Sequence, residues 1–136
     1  MPYPAPNWEP VAPGRKVFRL VNATSPDDEA RPEWFLTDRE AGIDPWFREE
    51  EWEELRDARS FFASENAARA EYAKSKKIAD KRGEEVRMPG WIAEVALMPA
   101  DGVAIDDLKE PDEHLLIRGD KELFVPWFER VFRADE

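Results

Sequence analysis

The sequence predicts an α+β domain, a mainly antiparallel or mixed sheet with helices packed on it. Three observations lead there. Residues 89–99 (PGWIAEVALMP) lie between turn signals and alternate along their length. Trp91, Ala93, Val95 and Leu97 fall on one side, and Ile92, Glu94, Ala96 and Met98 on the other, because successive strand side chains point to opposite faces. Residues 65–81 carry Ala68, Tyr72, Ser75 and Ala79 at helical spacing, a small-residue face that lets a helix lie close on a sheet. The elements run strand, helices, strand, helix and then mostly strands, an order that points to α+β rather than to repeated βαβ units. The wholly apolar row in 89–99 makes that segment the spine, central or next to central, with one face buried fully. Carboxylates are expected to face water.

The 136 residues suit one domain: a proline-rich arm at 1–14 and a folded unit at 15–136. With 42% hydrophobic residues, 6 Trp and 8 Phe, the composition excludes general disorder. The absence of cysteine removes disulfides, thiolate chemistry and Cys-ligated zinc, and a single histidine, His114, argues against a His-rich metal site. No apolar run is long enough to span a membrane and the N-terminus does not resemble a secretory signal, so the expected location is the cytoplasm. A net charge of −11 disfavours binding to a nucleic-acid backbone. That charge is unevenly spread, with residues 22–58 at −9 and 94–136 at −7, separated by 59–93 at +3.

In chain order, Pro2, Pro4, Pro6, Pro10 and Pro13 favour polyproline II in the arm, with Tyr3 and Trp8 expected to pack on their own domain. Residues 15–22 (RKVFRLVN) read as a first strand in which Arg19 interrupts an apolar row formed by Val17 and Val21. Ser25-Pro26 followed by acids is helix-start grammar, and Asp44-Pro45 repeats it for a helix over 45–57. Phe47, Trp52 and Leu55 give that second helix a narrow core face, while Glu49, Glu50, Glu51, Glu53 and Glu54 cover its surface. Residues 59–63 form a short strand, Ser64 caps the alanine-rich helix and Gly83 ends it. Lys74, Lys77 and Lys81 line a solvated face. Residues 103–105 are a brief strand, 106–113 an acidic loop and 114–118 the next strand. Asp120 caps a short helix that Pro126 limits, and 127–133 alternates well enough to close the sheet.

Few motifs carry chemistry. Asp106, Asp107, Asp112 and Glu113 cluster around Pro111 but lack the spacing of a calcium loop, so no metal is expected. The six glycines are isolated, which excludes P-loop, kinase and Rossmann signatures.

Four short stretches nevertheless form a pattern: Phe18-Arg19-Leu20 on a first strand, SFFAS over 60–64 leading into the helix with Tyr72, WIAEV from Trp91 and EHLLI from Glu113. In this order the chain, over residues 16–133, resembles small bacterial proteins with an ADP-ribosyltransferase-like fold. The resemblance implies that Arg19 and Ser60 would hold a nicotinamide dinucleotide and that Glu113 would support attack at the nicotinamide ribose. A guanidinium can grip a diphosphate, and a carboxylate can stabilise an oxocarbenium-like centre.

Two functions therefore stand at this level. The first is an acidic protein-interaction module without a cofactor, presenting Glu50, Glu51, Glu54 and Asp112 to a basic protein partner or inhibiting one. The alternative is an NAD-dependent ADP-ribosyltransferase-like enzyme, or a degenerate relative, built on Arg19, Ser60 and Glu113.

Overall fold

The computed structural model describes residues 7–37, 39–42, 58–86, 88–109 and 111–135. Among these, six strands form one sheet: β1 (Arg15–Val21), β2 (Ala58–Phe62), β3 (Trp91–Leu97), β4 (Ala104–Asp107), β5 (His114–Arg118) and β6 (Phe128–Arg133). Their order is β4-β5-β2-β1-β3-β6, and every neighbouring pair is antiparallel. Helices α1 (Glu65–Arg82) and α2 (Lys121–Trp127) and a 3₁₀ turn (Pro32–Phe35) complete a single-domain α+β fold. None of the described helices is long and apolar enough to cross a membrane.

The sheet separates two apolar layers. Val17, Val21, Phe61, Ala93, Val95, Leu97, Leu115 and Ile117 face Trp34 and Phe35 of the 3₁₀ turn and Phe124 of α2. Phe35 and Phe124 both stack on Phe61, at centroid distances of 6.4 and 5.7 Å. The opposite layer is smaller and joins Phe18, Phe62 and Ile92 to Ala67 and Ala68 of α1. The small-residue face allows this close approach, and Ala68 is completely buried.

β3 lies beside the central pair β2–β1, between β1 and β6, and Ala93, Val95 and Leu97 on its apolar row have no exposure. Glu94 departs from the expectation that carboxylates face water, since it is only 6% exposed. Its carboxylate meets Lys16 at 3.3 Å and Arg130, its cross-strand partner, at 3.2 Å. A carboxylate on an inner strand under a helix survives burial only with such counter-charges.

Local capping chemistry sets α1. The Ser64 hydroxyl accepts the Ala67 N–H at 3.1 Å, and Gly83, at φ 66°, takes the left-handed conformation that ends the helix. The helix expected to start at Ser25 does not form. There the Asp27 N–H donates to the Ser25 hydroxyl, and the Asp28 carboxylate accepts from both the N–H and the hydroxyl of Thr24. These short-range bonds satisfy the backbone in a turn and compete with helix. The first helical residues are instead the 3₁₀ turn at Pro32–Phe35. The acidic helix expected over 45–57, with Phe47, Trp52 and Leu55, lies outside the described residues.

Asp106 and Asp107, expected in a loop, belong to β4, where they pair with Leu116 and Leu115. Ile105 opposite Ile117 in the core anchors the ladder, and the pairing runs on through both aspartates. Over its described residues, 7–14, the arm docks on its own domain: Arg118 lies 4.8 Å over the Trp8 ring and Val11 enters the larger core, while Tyr3 lies outside the described residues. Glu9 forms a bridge to Ile105, each N–H donating to the other's carbonyl at 2.9 Å.

Candidate functional site

Alternation along β1 puts Arg19 on the face of Val17 and Val21, beneath the 3₁₀ turn. Its guanidinium donates to the carbonyls of Trp34 (2.8 Å), Leu36 (3.0 Å) and Ser60 (2.7 Å) and lies 5.7 Å over the Phe61 ring. Arg19 thus ties β1 to β2 and to the irregular chain at 34–36, whose carbonyls have no strand to bond. It also lines an open cleft of about 560 Å³ with Asn22, Arg31, Trp34, Thr37 and Pro89. Arg31 packs 5.5 Å over the Trp34 ring and pairs with Asp28 at 3.6 Å.

Ser60 contributes only its carbonyl to this arrangement. On β2, Arg59 and Phe61 turn toward the larger core, so Ser60 turns with Ala58 and Phe62 to the α1 face, where it is exposed. Glu113 stands at the start of β5 with φ 58°. Its carboxylate accepts the Ser64 hydroxyl at 3.2 Å and its carbonyl accepts the Ala63 N–H at 3.0 Å. The fold therefore joins Glu113 to the cap of α1, and it sets the Arg19 and Ser60 side chains on opposite faces of the sheet. The cleft beside Arg19 is lined by neither Ser60 nor Glu113.

Asp112 is exposed in the same turn and accepts the His114 N–H at 3.3 Å; the His114 ring stacks on Phe62 at 5.6 Å. Glu9, Asp101, Asp112 and Glu113 are exposed around the two ends of β4 and beside its outer edge, and Asp107 is half-buried among them. Arg15, 3.8 Å from Asp107, exposed Lys109, and Arg118, which stands opposite Ala104, are the nearby cations. Glu50, Glu51 and Glu54 lie outside the described residues. Among the described residues no group of three His, Asp or Glu side chains gathers as a metal ion requires.

A second arginine, Arg59, was not singled out by sequence pattern. It is 2% exposed and donates to the carbonyls of Phe35 (2.7 Å), Ile117 (3.4 Å) and Gly119 (2.8 Å). Its guanidinium lies 4.6 Å over the Phe124 ring and 3.8 Å from Glu40. Burial pushes Arg59 down to about 10, against the opposing pull of Glu40 and Asp120, which leaves it charged at neutral pH. Burial pushes Glu40 upward, but the Thr37 N–H and hydroxyl and the Lys121 ammonium outweigh this and hold its carboxyl below the usual range. Lys121, 3.1 Å away, is raised by the same contact. Thr37 and Glu40 form a reciprocal capping box: the Thr37 N–H donates to the Glu40 carboxylate and the Glu40 N–H to the Thr37 hydroxyl. The Thr-x-x-Glu spacing was the available signal for this pair. An arginine two residues before Phe61 on a buried strand was the signal for Arg59.

Comparison with protein-family models, curated proteins and solved structures gives no match. The site is thus defined by its own residues: an α+β domain with arginines bonded inward to carbonyls and a rim of carboxylates around β4.

Proposed function

We propose that this chain is a non-catalytic interaction module that engages a basic protein through its acidic surface. The observation that carries this reading is the set of five carboxylates on the segments around β4, Glu9, Asp101, Asp107, Asp112 and Glu113, against three cations, Arg15, Lys109 and Arg118. The sequence adds Glu50, Glu51 and Glu54 to the same side of the charge balance. Complementary charge of this kind mainly accelerates and selects the encounter.

Association with a basic partner is expected to weaken about tenfold between about 50 and 200 mM salt, since exposed charges are screened over this range. Lysine at Glu50, Glu51, Glu54 and Asp112 together should remove most of that salt sensitivity. Binding indifferent both to salt and to the quadruple reversal would overturn the reading.

One observation favours the alternative, an NAD-dependent transferase: Arg19 borders a cleft large enough for a small ligand. Against it, the Ser60 side chain is on the other face and Glu113 serves the helix cap. Incubation with labelled NAD tests it directly: transfer or glycohydrolysis by wild type that Glu113→Ala abolishes would establish the enzyme, and equal background from both would remove it.

A further inference from the structure

We draw no further inference here: the strongest candidate, the open cleft between the end of β1, the 3₁₀ turn and Pro89, belongs to the site already described, and its cations, Arg31 held by Asp28 and Arg19 bonded to carbonyls, single out no other ligand.

Discussion

The two faces of the sheet handle buried charge in opposite ways. Over the larger core, arginines are the charged groups: Arg19 and Arg59 each donate to three backbone carbonyls. Under α1 the buried charge is Glu94, held by the side chains of Lys16 and Arg130, with Glu65 and Arg69 extending the chain of ion pairs. The difference follows from what covers each face. A regular helix satisfies its own backbone, so α1 brings no stranded carbonyls to the sheet. The irregular chain at 34–36 does, and long donors rooted in β1 and β2 reach up to them.

Arg59→Met would break this comparison most severely. It strands the carbonyls of Phe35 and Gly119 and removes the cation facing Glu40, so a loss of about 3–5 kcal/mol in urea-denaturation stability is expected. A loss below about 1 kcal/mol would show that the carbonyls find other donors. Glu94→Gln is expected to be milder, about 1–2 kcal/mol, because Lys16 and Arg130 are each half-exposed and can be resolvated by water. Equal losses from the two substitutions would remove the distinction between the faces.

The smallest effect concerns acid. The folded-state pKa of Glu40 lies below its ordinary value of 4.5, so the folded chain binds this proton less readily than the unfolded chain. The stabilisation is therefore present above that value and lost as pH falls below it. Glu40→Gln should flatten the acid limb of stability between about pH 6 and pH 3 by under about 1 kcal/mol, given partial exposure. An unchanged limb would mean that the Thr37–Glu40–Lys121 contacts do not report on folding.

Legibility in the sequence followed the range of each interaction. Alternation placed β3, β1 and β5 within a residue or two, and Ser64 and Gly83 bracketed α1. The turn at 24–28 was misjudged because Ser25-Pro26 with acids serves an Asx-type turn as readily as a helix start, and nothing local decides between them. Asp106 and Asp107 were assigned to a loop on their polarity, but the pairing of Ile105 with Ile117 carries the ladder through them. At the site, the pattern around Arg19, Ser60 and Glu113 gave correct strands without the faces or ends those side chains occupy. The separation of Arg19 from Ser60 depends on which residues of two strands lie opposite, a register with Phe18 beside Phe62.

By itself the sequence determined the periods, the caps and the charge blocks, because these arise from sterics and bonds between residues a few positions apart. Only the tertiary structure decided which strands are neighbours, where residues 7–14 lie and what Arg19 and Arg59 hold. Arg59 reaches acceptors 24 and 60 residues away, and Arg19 one 41 residues away. Bonds over such separations exist only once the chain has closed on itself, and no local preference encodes them.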